Sequence, residues 1–425
     1  MINSKLERRK ANWSLLSIAL LFLVLDRQWG FVFTNTVYAS QAMVYISFLL
    51  LLFLFITVAA KYAAKWTLIC IIWTPYILST ILGYVINLKL QHVTYWFICF
   101  VLILTASRAP LLKSIPSKLL YYSGLFALLG IAVQLFFPSY YSSHILNLFV
   151  LEDDRMEKWI EGIGLNGFTY QLGQTASILV YCEIVLLYLP EKVSGIINRK
   201  KILYYLLLGL IVLGIFSTGK RLHAVLALAL PFIVYLVSSM QHNMKKFLIV
   251  LFCILIAGLS YEYFVNNVYM LSDSFLIGRF ANSYIEMQYG GDIYSGRQEL
   301  YDMALKVFRE NPLLGIGVGR FREYTGSLTQ VHNTYLQVLC EQGIIGFVMF
   351  IIPILYCFSY TLTLLKKVKD KTTSDYLYFS LGLQLVYLLC GLTGNENIGS
   401  GFVFYFIAVG ILVSCDKIQK FSLKK

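Results

Sequence analysis

Four short stretches of this chain carry residue types that could do chemistry. "FSTGKRLHA" (Phe216–Ala224) sets Lys220 beside Arg221 in a tight hairpin. "YSGRQELYDMALKVFRENP" (Tyr294–Pro312) sets Ser295 and Arg297 at the start of a helical pattern. "GIGVGRF" (Gly315–Phe321) is a glycine-rich turn running into Arg320 and Arg322. "VHNTYLQVLCEQGIIGFVMFI" (Val331–Ile351) puts His332 and Asn333 at the mouth of a long apolar helix, with Glu341 farther inside it. Guanidinium groups stay charged and offer forked donors to phosphate oxygens. An imidazole can take a proton near neutral pH, which makes His332 a general-base candidate.

Each residue also has a plainer reading. Arg221 could be an interfacial arginine with its head in water, and His332 an ordinary residue at a helix start. Arg297 could be a solvated one, although a cation in a first turn opposes the helix dipole and a bound anion would reverse that sign. Ser295 with Gln298 three residues on forms a capping box for that helix. Leu300, Ala304, Val307 and Phe308 then fall on one face, and Pro312 stops the helix. The glycine turn lacks the strand–turn–helix context of a dinucleotide site and the Gly-Lys-Ser/Thr end of a P-loop. Its Gly315 and Gly317 could still let backbone amides approach a phosphate.

Glu183 lies deep in an apolar run behind Gln171 and Gln174. Acids inside such runs face a cavity or a hydrogen-bonding partner. Glu341 is similar, and the sequence suggests an arginine as its partner. The 5 histidines are scattered and the 8 cysteines sit in or beside apolar runs without a CxxC pair. Neither pattern predicts a metal site, a disulfide or a cofactor.

The elements that must position these residues are membrane spans. The chain is 58% hydrophobic and 13% charged, with mean hydropathy +0.70, against about 25% charged residues in soluble domains. The pattern predicts an all-α polytopic membrane protein with about twelve transmembrane helices. They fall near 13–25, 41–60, 66–86, 92–106, 119–137, 167–189, 202–217, 221–239, 247–265, 333–365, 375–393 and 401–415. With both termini in the cytoplasm, the inside segments hold most of the 35 Lys and Arg but only Glu7, Glu191, Asp370, Asp375 and Asp416 of the acids. That asymmetry follows the positive-inside rule and accounts for the net charge of +13. Basic stretches are not interleaved with exposed aromatics, so nucleic acid is not an expected partner. The basic start and Trp13–Leu25 lack a small-residue cleavage site and read as an uncleaved first span.

Two outer segments are long: 138–166, with the Glu152-Asp153-Asp154-Arg155 patch, and 266–332 between spans nine and ten. A loop of the second length is usually functional. The expected organisation is therefore spans one to nine over 1–265, an extracytoplasmic catalytic loop with short helices over 266–332, and spans ten to twelve with a cytoplasmic tail over 333–425.

In order and spacing these motifs resemble the O-antigen polymerase and O-antigen ligase superfamily of bacterial glycosyltransferases. The carrying residues are Ser217–Arg221, Ser295-Gly296-Arg297, Asn311–Gly317, His332–Leu336 and Glu341–Gly346. Lys220 departs from the family pattern, as does Arg320-Phe321-Arg322. The first 160 residues carry no matching motif.

The resemblance implies a multi-pass protein of the bacterial cytoplasmic membrane with its active site on the outer face. It implies transfer of a glycan from undecaprenyl diphosphate to an acceptor glycan, metal-independent and inverting. Donor, acceptor and membrane lipids are then the partners, with a chain-length regulator and a flippase as further ones. Arg221, Arg297 and His332 are the expected catalytic residues. Lys220, Ser295, Gly315, Gly317, Arg320, Arg322, Asn333, Glu183 and Glu341 are the expected substrate-binding ones. Polymerase is preferred to ligase, and a lipid-linked oligosaccharide flippase is the rival of another class. A flippase should show inverted repeats and charge along a pathway inside its spans, and the sequence shows no internal repeat.

Overall fold

The structure is a computed structural model. It describes residues 45–50, 52–53, 56, 67–89, 92–94, 96–99, 115–146, 164–169, 171–189, 201–238, 262–274, 276–290, 297–396 and 400–422. Their regular secondary structure is helical, joined by turns and loops, with no strand among them. The expected spans at 13–25 and 247–265, most of those at 41–60 and 92–106, the Ser295 cap and the Glu152–Arg155 patch lie largely or wholly outside them.

In chain order the helices are α1 (Leu68–Ile86), α2 (Ile115–Phe136), α3 (Leu172–Tyr188), α4 (Lys201–Ser217), α5 (Arg221–Ser238), α6 (Gly278–Gln288), α7 (Arg297–Glu310), α8 (Phe321–Thr325), α9 (Thr334–Lys367), α10 (Lys371–Cys390) and α11 (Ser400–Ser422). Three are long and apolar enough to cross a membrane: α1, α2 from Pro116, and α9. Shorter apolar helices occupy Leu172–Tyr188, Ile202–Ser217, Arg221–Ile233 and Gly401–Asp416. The protein is a membrane protein.

The chain divides into two compact units, Met1–Leu120 with Gly296–Lys425, and Tyr121–Ser295. The boundary at 295/296 cuts the segment 266–332 that the sequence reads as one outer loop, and its second half belongs to the same unit as α9.

Local sequence sets the helix starts of the first unit. Thr67 caps α1 by accepting from the Cys70 N–H at 3.3 Å, and Asp370 caps α10 by accepting from the Thr373 N–H at 2.9 Å. Each satisfies one of the free N–H groups that open a helix. The expected apolar face of α7 is observed. Leu300, Ala304 and Val307 are buried with Ile316, Phe321, Val331 and Cys340, and Phe308 packs on that cluster. Trp73, Trp96, Phe402, Tyr405 and Phe406 form the aromatic core among α1, the residues after it and α11.

The long helix α9 is not continuous. Gly343 has φ 63° and ψ −169°, which breaks it within the Glu341-Gln342-Gly343 stretch. The N–H of Ile344 then donates to the carbonyl of Pro312 at 2.8 Å and that of Ile345 to Leu313 at 3.3 Å. The segment after α7 thus plugs into the break and satisfies backbone groups that a span cannot leave bare.

In the second unit α3, α4 and α5 pack together, with glycines allowing close approach. A Cβ at Gly214 of α4 would lie 3.1 Å from Leu128 and 3.3 Å from Leu179. The segment 164–169 is held by Gln134, whose Oε1 accepts from the N–H groups of Asn166 and Gly167, each at 2.9 Å. The described cysteines are all buried and free, as expected for small apolar residues.

Candidate active site

The first unit gathers Arg297, His332 and Asn333 around the stretch that follows α10. Arg297 opens α7, and its Nη1 donates to the Thr393 carbonyl at 3.1 Å. Asn333 is the N-cap of α9: its Oδ1 accepts from the N–H groups of Tyr335 and Leu336, each at 3.0 Å. Its Nδ2 donates to the Leu392 carbonyl at 3.1 Å. Thr334 bonds the same stretch twice, its Oγ1 donating to the Gly394 carbonyl at 2.9 Å and accepting from the Glu396 N–H at 2.8 Å. Residues Leu392–Glu396 therefore tie the head of α7 to the head of α9. Sequence reasoning passed over this stretch, whose one visible signal is its density of Gly, Asn and Thr between apolar runs.

His332 has φ 56°, a left-handed conformation uncommon for a side-chain-bearing residue. Its carbonyl accepts from the Tyr301 hydroxyl of α7 at 3.4 Å. The turn at His332 brings the chain to the extended backbone that Asn333 needs as a cap (φ −149°, ψ 113°). Backbone conformations of this kind cluster at functional sites. Arg297 uses one of five guanidinium N–H donors, and the others have no partner among the described residues.

The glycine turn has a different use from the one its composition suggests. The Ile316 N–H donates to the Cys340 carbonyl at 3.2 Å, and the Gly317 N–H to the Glu341 carbonyl at 2.8 Å. The Glu341 carboxylate accepts from the Gly319 N–H at 2.7 Å, the Phe321 N–H at 3.1 Å and Gln337 Nε2 at 2.5 Å. These amides are occupied by the broken part of α9 and are not presented to a phosphate. Gly315, at φ 67°, lies so close to the Glu341–Gln342 peptide that a Cβ would overlap it. Glu341 was expected to meet an arginine. It meets backbone amides instead, because the helix break leaves a buried carboxylate beside a turn whose N–H groups need acceptors.

Arg320 and Arg322 are exposed at α8. Next to them Lys89 bonds the Gly319 carbonyl and pairs with Glu323 at 2.9 Å, which holds the Glu323 carboxyl below its ordinary range. Asn87 Nδ2 donates to the Val318 carbonyl at 2.7 Å. Asn87 and Lys89 thus brace the turn, a role their isolated positions after α1 did not signal.

The second unit holds Lys220, Arg221 and Glu183. The turn into α5 is closed by Gly219, at φ 65°, whose N–H donates to the Phe216 carbonyl at 2.9 Å. Arg221 opens α5 as the sequence suggested. Lys220 runs past Gly173 of α3, where a Cβ would lie 3.7 Å from its Cε. His223, one turn on, bonds Ser177 of α3 at 2.9 Å. Leu165 N–H donates to the Ser217 carbonyl at 2.9 Å, fastening 164–169 to the same turn. Glu183 is buried in α3, and its Oε2 has no hydrogen-bond partner among the described residues.

No group of His, Cys, Asp and Glu among the described residues is arranged to hold a metal ion. No curated protein matches the chain. Residues 205–351, which span every candidate here except Glu183, match the family model described as O-antigen ligase, consistent with the O-antigen polymerase and ligase superfamily that the motifs resemble.

Proposed function

We propose that this protein is a polysaccharide polymerase of the bacterial cytoplasmic membrane. It moves a glycan from undecaprenyl diphosphate onto the repeat unit of another lipid-linked glycan, on the outer face. The observation that carries this reading is the junction at Leu392–Gly394. It sets a guanidinium with unused donors and the His332-Asn333 pair at the mouth of one membrane helix.

As the sugar–phosphate bond breaks, charge builds on the departing diphosphate, and a preorganised cation there lowers the barrier. Arg297 is that cation in the first unit. Arg221 is a second diphosphate-binding candidate, proposed from the motif it shares with the family. His332 takes the proton of the acceptor hydroxyl, the role of a general base. Direct displacement inverts the anomeric centre. Arginines supply the charge that a divalent ion would otherwise bring, so chelation should leave turnover unchanged.

The test mixes purified protein with a synthetic lipid-diphosphate repeat unit. A ladder of lengthened glycans is expected. Single transfer to a lipid core alone would instead make it a ligase, and unaltered substrate moved across a vesicle would make it a flippase. Restoration of chelated enzyme by magnesium or manganese would overturn metal independence.

A further inference from the structure

The Leu392–Glu396 stretch, between α10 and α11, carries two oxygen-bearing side chains that the bonding described so far does not use. Asn395 Oδ1 is buried and has no hydrogen-bond partner among the described residues. The Glu396 carboxyl group also has none among the described residues, although its N–H is fixed to Thr334 at 2.8 Å. The carboxyl rests over two glycines. A Cβ at Gly394 would lie 3.2 Å from Glu396 Oε1, and one at Gly401 of α11 would overlap Oε2. A pair of side-chain oxygens packed against glycine is thus anchored one residue from the Asn333 cap and two from Thr393, which holds Arg297.

A buried carbonyl oxygen without a donor costs free energy, and in a native structure it calls for an explanation. Water is one possible donor. A ligand is favoured by the position, because the oxygens sit on the element that also holds the unused guanidinium donors. Acceptors beside a cation fit a molecule with hydroxyl hydrogens close to an anion.

We propose that Asn395 and Glu396 form a sugar-hydroxyl subsite, in which their side-chain oxygens accept hydrogen bonds from vicinal hydroxyls of a glycan ring beside Arg297. This deepens the polymerase reading and rests on it for the identity of the glycan. Burial pushes the Glu396 carboxyl from 4.5 up to about 7, so near neutrality it can both accept and donate to a sugar hydroxyl.

The experiment uses the full chain in nanodiscs and three probes: the glycan-linked lipid diphosphate, the same lipid diphosphate without sugar, and the free glycan. Asn395→Leu, Glu396→Leu and Gly401→Ala are compared with wild type by direct binding, after matching size-exclusion profiles. The last variant displaces the carboxyl without altering it, so the subsite remains testable if one of the others fails to fold.

Binding of a glycan-bearing probe should weaken at least tenfold in all three variants, while the sugar-free lipid diphosphate stays within twofold. Weakening confined to the lipid-linked probe assigns the subsite to the donor, and weakening confined to the free glycan assigns it to the acceptor. Glycan binding within twofold of wild type would overturn the proposal, because a bridging water would then suffice. Equal loss of the sugar-free probe would overturn it too, since the stretch would then serve the diphosphate or the fold. A wild type that binds these probes but transfers nothing refutes the polymerase reading, while the binding comparison still decides the subsite.

Discussion

The head of α7 in the first unit and the head of α5 in the second each present an arginine at a helix start. They treat their polar groups in opposite ways. Around Glu341 almost every buried donor and acceptor is matched: three N–H groups meet its carboxylate, and Gln337 links it to Gln330 at 2.8 Å and to Val331 at 3.1 Å. Around the second unit's helices, both amide atoms of Asn166, Oε1 of Gln174 and Oε2 of Glu183 are buried without a partner among the described residues. The difference teaches that the network around Glu341 is a preorganised frame, whereas the second unit's helices, like Asn395 beside the Arg297 anchor in the first, keep hydrogen-bonding capacity in reserve. A matched network resists deformation, and each unmatched group raises the free energy of the empty state.

The largest expected effect tests whether the frame does chemistry. His332→Ala should slow glycan transfer by about 10²–10⁴-fold, the usual range for a general base. The acid limb of the pH–rate profile should vanish, and donor binding should persist. A loss of about tenfold or less in single-turnover assays would reduce His332 to orienting the acceptor.

The arginines compare the two regions directly. Arg297→Ala and Arg221→Ala should each lower turnover by about 10²–10³-fold, as removal of one charge-stabilising donor does elsewhere. Lysine should rescue only partly, because the fork is lost. Near-normal chain assembly in Arg221→Ala, at equal membrane abundance, would leave the second region without a part in diphosphate binding.

Stability sharpens the contrast. Glu341→Leu strands the amides of Gly319 and Phe321, and should destabilise the protein by about 1–3 kcal/mol for each buried group left bare. Asn166→Leu removes an amide with no partner and should leave thermal stability in detergent unchanged or slightly higher. A fall for Asn166→Leu as large as that for Glu341→Leu would erase the distinction.

The smallest effect concerns Glu396, whose carboxyl is raised from 4.5 to about 7 by burial. The folded state then holds the proton more tightly than the unfolded chain. Its contribution is fully present below about pH 4.5 and is lost as pH rises through 7. Tyr387 and Cys390 face it from α10, and their side-chain types ordinarily titrate above pH 8. Glu396→Gln should flatten that decline in a pH series of thermal midpoints; an unchanged slope would assign it to another group.

The sequence by itself determined the helical membrane character, the positions of the helices at 68–86, 172–188, 201–217, 221–238 and 334–367 within a few residues, and the buried face of α7. Apolar runs and 3.6-residue periodicity are local, and a membrane forces their backbone into helix. Residue type and order likewise singled out Arg221, Arg297, His332 and Asn333 as candidates, because a guanidinium can meet a phosphate, an imidazole can take a proton and an asparagine amide can cap a helix. Tertiary structure alone decided that Gly343 breaks α9, that the glycine turn fills the break and that Glu341 serves the turn. It alone brought Leu392–Glu396 to the Arg297 and Asn333 side chains. Those outcomes depend on which distant backbone group becomes the partner of each N–H and carbonyl. A glycine or glutamate in the chain carries no record of that pairing until helices far apart in sequence pack side by side.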